Sequence, residues 1–189
     1  HIYLNFASED LKKEILGSVV AGAATAVAMS EPGSGSDVAS LRCKAEKVDG
    51  GYRLNGHKMW ITNAHLSDHI LLVARTSDTG DKHHGISMIS VPTDAPGVEI
   101  RPIPTMGAEV NDVFFTDCEV GPERLVGVDG VAGLDRSAFG AVFNTNKLGL
   151  ALNLGTPQGK EIALKLAAWA DVATDSMTPG SLTKLGLDY

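Results

Sequence analysis

The chain of 189 residues has room for one domain of ordinary size, or for one and part of another. Its 16 Lys and Arg stand against 23 Asp and Glu, a net charge of −7 that argues against a nucleic-acid binder with its basic face or stripe. Hydrophobic residues at 43% and charged residues at 21% describe an ordinary globular composition, far from a disordered one.

No apolar run approaches the roughly 18 to 20 residues that cross a bilayer, since Ile15 to Met29 is interrupted by Gly17, Ser18, Gly22 and Thr25. No secretory signal is visible at the amino terminus. Cys43 and Cys118 are isolated, without C-x-x-C spacing, and read as two reduced, half-buried thiols rather than a disulfide or zinc site. The 21 glycines against 5% aromatics suit many short strands joined by tight turns.

In chain order, residues 9 to 20 read as a helix. Ser8 is its N-cap, Glu9 and Asp10 face the positive end of the dipole, and Leu11, Ile15 and Val19 recur every four residues. Strand grammar follows. Leu41, Cys43 and Ala45 alternate with Arg42, Lys44 and Glu46, and Asp49-Gly50 and Asn55-Gly56 read as hairpin turns around Tyr52 to Leu54. Further strands fall at His69 to Thr76, Gly85 to Val91, Val98 to Ile103 and Val110 to Val120. No helix among them is long enough for a parallel crossover, so an antiparallel barrel or sandwich of about a hundred residues is expected. After Gly127, helical spacing returns at Ile162, Leu166, Trp169 and Val172, with a short helix-like stretch between Pro179 and Tyr189.

Two segments carry chemistry. In AMSEPGSGSDVASL, residues 28 to 41, a proline is followed by the small residues Gly33 to Ser36, whose backbone N–H groups and hydroxyls suit an anion such as phosphate. It lacks the Lys-Ser/Thr of a Walker loop, and composition alone equally describes a plain solvent turn. In HKMWITNA, residues 57 to 64, a strand would point Trp60 and Thr62 to one face, an aromatic plane beside a hydroxyl that suits a flat heterocycle. Alone, it reads as well as a core tryptophan beside a strand-forming threonine.

Taken together, SEPGSGSDVASLRCKAEKVDGGYRLNGHKMWITNA resembles the acyl-CoA dehydrogenase family, whose flavoproteins carry T/S-E-P-G-x-G-S-D and then N-G-x-K-x-W-I-T-N. The likeness continues through SDHILLVART, GISMISVPTDAPGVEI, RPIPTMG and NDVFFTDCEVGPERLVG, covering residues 28 to 127. The resemblance implies an α+β chain: residues 1–25 the tail of an N-terminal helical domain, 26–127 an antiparallel, flavin-binding β-barrel, and 128–189 a partial C-terminal helical region. It implies FAD as cofactor. Val27, Met29 and Ser30 match positions lining the flavin ring, and Gly35 and Ser36 the pyrophosphate end, with Ser36 also touching the acyl-CoA. Trp60 matches the aromatic covering one flavin face and Thr62 the donor to flavin N5, with Ile61 between them in the same cofactor set. DRSAFG at 135 to 140 is similar to the family's R-x-x-F-G, so Arg136 would reach a neighbouring subunit's pyrophosphate, Phe139 would pack near it, and Asn144 would contact the adenosine part.

The implied activity is α,β-dehydrogenation of an acyl-CoA thioester in fatty-acid metabolism. The implied setting is a homo-oligomer in a bacterial cytoplasm or mitochondrial matrix, with electron-transfer flavoprotein or a similar acceptor. A flavin oxidase of the same superfamily, or a catalytically silent FAD-binding or oligomer-packing barrel, are the rivals. Departures are plain. Gly149, Gly155, Pro157 and Gly159 interrupt what should be a long helix, and two linkers are shorter than in the family. No carboxylate is assigned as catalytic base: Glu123, Asp129 and Asp135 lie in the wrong context. A fragment of a longer family member explains these departures best. His65, His69, His83 and His84 read as surface histidines, and Asp78, Asp81 and Asp94 as loop acids without calcium-loop spacing.

Overall fold

Helix α1 (Ile2–Phe6) and helix α2 (Glu9–Val20) open the chain in a computed structural model that describes residues 2–35, 37–78, 80–106, 109–127, 150, 152–174 and 180–187. The expected cap of α2 forms: Ser8 Oγ accepts the Leu11 N–H at 3.3 Å, and Glu9 and Asp10 occupy the first turn. Leu11 and Ile15 are buried, while Val19 is exposed, so the apolar stripe is one turn shorter than the spacing predicts. The short α1 has no sequence signal of its own. It is held by the Tyr3 hydroxyl, 3.0 Å from Ser90 Oγ.

Eight strands follow: β1 (Thr25–Ala28), β2 (Lys44–Val48), β3 (Gly51–Thr62), β4 (His69–Arg75), β5 (Ile86–Pro92), β6 (Val98–Pro102), β7 (Val110–Val120) and β8 (Leu125–Val126). They form one sheet in the order β6-β7-β3-β2-β4-β5-β8, with β1 also paired to β4. The expectation of a mainly sheet middle region holds, but two parts of it are corrected. Among the described residues no pairing joins β6 to β8, so the sheet is an open path and not a closed barrel. Nor is it purely antiparallel: β1 runs parallel to β4 from Thr25↔His69 to Ala28↔Leu72, and β2 meets β4 in parallel at Lys44↔Arg75. A parallel pair needs a long connection and not specifically a helix; the β2–β3 hairpin and its loops serve as that crossover.

A second correction concerns Asn55-Gly56, which makes no hairpin turn. Both residues lie inside the 12-residue β3, at a register shift between Leu54 and Gly56 against β7. The Asn55 amide spans to Asp117, donating to its carboxylate at 3.0 Å and accepting its backbone N–H at 2.9 Å. Gly56 is required for another reason: a Cβ there would stand 2.6 Å from Cys43 Sγ and 2.8 Å from Cys43 Cα.

The sheet buries both faces of its centre. Ala26, Ala28, Ile61, Ile70, Leu72, Ala74 and Phe115 belong to one core cluster. Leu71, Val73, Ile86 and Met88 pack on the other side with Tyr3, Leu11 and Ile15 of the helices. Hence β4 is apolar and buried from Ile70 to Ala74 and shows no alternation there. Cys43 and Cys118 are fully buried rather than half-buried, and burial pushes the Cys43 thiol up to about 11.

The chain divides into two compact units, His1–Thr145 and Asn146–Tyr189. The second holds helix α3 (Pro157–Trp169) and helix α4 (Ser181–Leu185). Pro157 does not interrupt a helix but begins one: Thr156 is the N-cap, its Oγ1 accepting the Gly159 N–H at 3.1 Å, and Pro157 follows at the first helical turn. Val172 lies past the end of α3. No helix among the described residues is long and apolar enough to cross a membrane.

Candidate functional site

The two motif segments lie side by side. After β1 the chain runs through Met29 and Ser30 into a tight turn over Pro32-Gly33, closed by Glu31 N–H to Ser34 O at 2.8 Å and Ser34 N–H to Glu31 O at 3.1 Å. Ser30 O accepts the Met59 N–H of β3 at 2.9 Å. The Lys58 ammonium donates to Met29 O at 2.9 Å and to Glu31 Oε1 at 2.8 Å. The Gly/Ser loop is therefore bolted to the tryptophan strand at three consecutive residues.

Lys58 has 0% of its surface exposed, a cost met only by complete pairing. Glu31 supplies it. One carboxylate oxygen takes Lys58 and the Cys43 N–H at 2.9 Å, and the other takes the Arg42 N–H at 2.7 Å. Burial opposes ionisation of Glu31 and is the largest single influence. The bonds from Lys58, Arg42 and Cys43 together outweigh it and hold the carboxyl below the usual carboxylate range. A depressed carboxylate stabilises the fold fully above its ordinary range, and that contribution fades as pH falls through the folded value. Urea midpoints at neutral pH and near about pH 3 should show a smaller acid loss for Glu31→Gln than for the parent. Parallel losses would mean that Glu31 carries none of the acid sensitivity. Neither Lys58 nor Glu31 is singled out by sequence pattern; their signal is an acid and a base within the two motifs, visible only once the segments are paired.

The strand then makes a bulge. Lys58 pairs with Val113 and Ile61 with Asn111, so Met59 and Trp60 face a single residue of β7. Trp60 takes φ 61°, a left-handed conformation that costs a bulky residue energy and is held here by the bulge. The bend turns the indole outward: Trp60 is 55% exposed, which excludes the core-tryptophan reading. Thr62 is exposed beside it, Val27 is exposed on β1, and Met29 and Ser30 are half-buried. Ala28 and Ile61, the alternating neighbours, point into one core cluster. Ile61 can thus offer a ligand only its backbone. The side chains of Val27, Trp60 and Thr62 face away from that core, as the motif reading requires.

The Gly/Ser loop is less generous than its composition promises. The Ser34 N–H is spent on the turn and its hydroxyl donates to Asp37 O at 2.9 Å, so Ser34 holds no anion. A Cβ at Gly33 or Gly35 would meet nothing within 4 Å, so the loop presents open backbone. Ser36, Arg136, Phe139 and Asn144 lie outside the described residues. A shallow depression lined by Val48, Gly50, Tyr52 and Pro122 sits at the other end of β3 and takes no part in this site. No cluster of three metal-ligating side chains exists among the described residues.

An exposed aromatic plane and a neighbouring hydroxyl thus stand on the strand to which the open glycine loop is tied, side-chain and backbone chemistry suited to stacking and to hydrogen-bonding an anion. Comparison with known proteins gives this arrangement its context. Residues 26–118 match the family described as acyl-CoA dehydrogenase, middle domain. Acyl-CoA dehydrogenase IpdE1 of Mycobacterium tuberculosis is 45% identical over 103 residues, 53% of this chain and 27% of that one. Mitochondrial 2-methylacyl-CoA dehydrogenase of Solanum tuberosum is 35% identical over 137 residues, 67% of this chain and 33% of that one. Among solved structures, an acyl-CoA dehydrogenase complexed with FAD from Bacillus anthracis superposes with TM-score 0.62 at 29% identity, over 69% of this chain and 23% of that one. The prolyl acyl carrier protein oxidase AnaB gives TM-score 0.66 at 31% identity, over 75% and 37%.

Residues 26–118 are an acyl-CoA dehydrogenase middle domain, and through that segment the chain belongs with the family. It spans about a quarter to a third of the length of these curated relatives. Residues 105–189 also match the family described as CoA-transferase family III, a stretch that contains the whole second unit.

Proposed function

We propose that residues 26–127 form the FAD-binding portion of an enzyme that dehydrogenates an acyl-CoA thioester between its α and β carbons. The observation that carries this reading is the bolted junction of Met29 to Glu31 with Lys58 and Met59, which sets the glycine loop beside the exposed Trp60 and Thr62. In this reading Val27, Met29 and Ser30 line the ring and Trp60 stacks on it. The Ile61 backbone lies along its edge, and the Thr62 hydroxyl donates toward N5. Gly35 and Ser36 hold the pyrophosphate, with Ser36 also at the thioester. Arg136, Phe139 and Asn144 would serve the cofactor across a homo-oligomer interface. Bound FAD supplies the hydride acceptor. The protein's own contribution is to orient the ring, exclude water from one face by Trp60, and place a hydrogen bond where negative charge develops. The α-proton needs a carboxylate that none of these residues supplies. Electron-transfer flavoprotein or a similar acceptor would take the electrons, in a bacterial or mitochondrial setting.

The test is reconstitution. The purified chain should turn yellow with added FAD, and Thr62→Ala should slow reduction of the bound flavin about tenfold while leaving the melting temperature unchanged. Bleaching by an acyl-CoA without oxygen supports the dehydrogenase; peroxide formed without an added acceptor selects the oxidase. A chain that stays colourless removes the flavin reading. A second reading applies to the second unit alone: its place within a CoA-transferase family III match supports a separate module for CoA thioesters, joined in one chain to the dehydrogenase domain.

A further inference from the structure

One buried polar group near the site is left over by everything described so far. Asn111 of β7 has 0% of its surface exposed. Its Nδ2 donates to Ile61 O at 3.0 Å, and its Oδ1 has no hydrogen-bond partner among the described residues. A buried amide oxygen without a donor costs the fold free energy, and a leucine of similar size would remove that cost while leaving the Ile61 carbonyl without its donor, so one orphan replaces another. The amide is thus poorly explained as a net source of stability. Its position explains it better. Asn111 is the β7 partner of Ile61, the first residue after the left-handed Trp60, so its one bond fixes the carbonyl on which the bulge closes. From the other side the bulge is fixed by Lys58 and by the Met59 N–H. Trp60 is the free span between these anchors.

Resting on the flavin reading above, we propose that Asn111 is a positioning residue for the cofactor: by holding Ile61 O it sets the angle at which Trp60 and Thr62 present themselves to the ring. It touches no ligand itself. Without that bond the Ile61–Thr62 peptide is free to rotate and the bulge loses its fixed closing point, so the Thr62 hydroxyl shifts directly and the left-handed Trp60 can relax away from where the ring must stack.

The purified chain and its Asn111→Leu variant are titrated with FAD by flavin fluorescence, melted, and compared by visible circular dichroism with FAD bound. Expected are a dissociation constant about tenfold higher, a changed dichroic band of the bound flavin, and a melting temperature within about 5 °C of the parent's. Equal affinity with an unchanged band overturns the positioning role and leaves the flavin reading standing. A variant that melts well below the parent, or does not fold, also overturns it, because the amide would then serve the fold and not the placement of Trp60 and Thr62. A parent chain that binds no FAD overturns the flavin reading, and the positioning role with it.

Discussion

Lys58→Met is expected to lower the unfolding free energy of the sheet-bearing unit by about 3–5 kcal/mol. The substitution keeps the volume but leaves Glu31 ionised, buried and deprived of the cation that balances it. It also strips Met29 O of its donor, so the bolt between the glycine loop and β3 is broken on two of its three residues. The double variant Lys58→Met, Glu31→Gln should lose less than half as much. The single amide oxygen of a glutamine still accepts one of the Arg42 and Cys43 N–H groups, and no charge remains to be compensated. Urea denaturation of the parent, both single variants and the double variant at neutral pH measures the difference. Additive losses would show that the two side chains do not act as a pair.

Trp60→Gly should separate binding from folding. The indole contributes little to the core, being more than half exposed, and its left-handed backbone suits glycine better than tryptophan. Relief of that strain, of order 1 kcal/mol, offsets the extra chain entropy of a glycine in a strand. Thermal stability should therefore stay within about 1 kcal/mol of the parent, while affinity for FAD falls about 10- to 100-fold through lost stacking. Unchanged affinity would remove Trp60 from the site. A large drop in stability would return it to the core, against its observed exposure.

How far the sequence reveals this molecule depends on the range of the interactions involved. The helix at 9–20 is legible because its cap, its acidic first turn and its apolar spacing are all local. The 110–120 strand is legible for the same reason. Asn55-Gly56 misleads because the same dipeptide serves a turn and a bulge. Only the approach of Cys43, 13 residues earlier, decides between them. The parallel pairing of β1 with β4 is likewise invisible locally, since strand direction is set by the path of the chain between them. At the site, Trp60 and Thr62 are found by motif, whereas Lys58, Glu31 and Asn111 are not. A lysine and an asparagine in strand alternation look like solvent-facing residues until the partner strand is known. Pro157 is the local signal that was open to two meanings, helix breaker or first helical residue, and Thr156 just before it decides for the second.

The open path of the sheet leaves two rims where another chain could add a strand and begin a fibril. Each is blunted in its own way. Strand β6 carries Glu99 and Arg101, tied to each other at 2.7 Å, and ends at Pro102, which has no N–H to offer an incoming strand. Strand β8 is two residues long, too short a template for cross-β growth. At both ends of its path the unclosed sheet thus discourages edge-to-edge aggregation, which favours association of copies through side-chain surfaces over backbone ladders at β6 and β8.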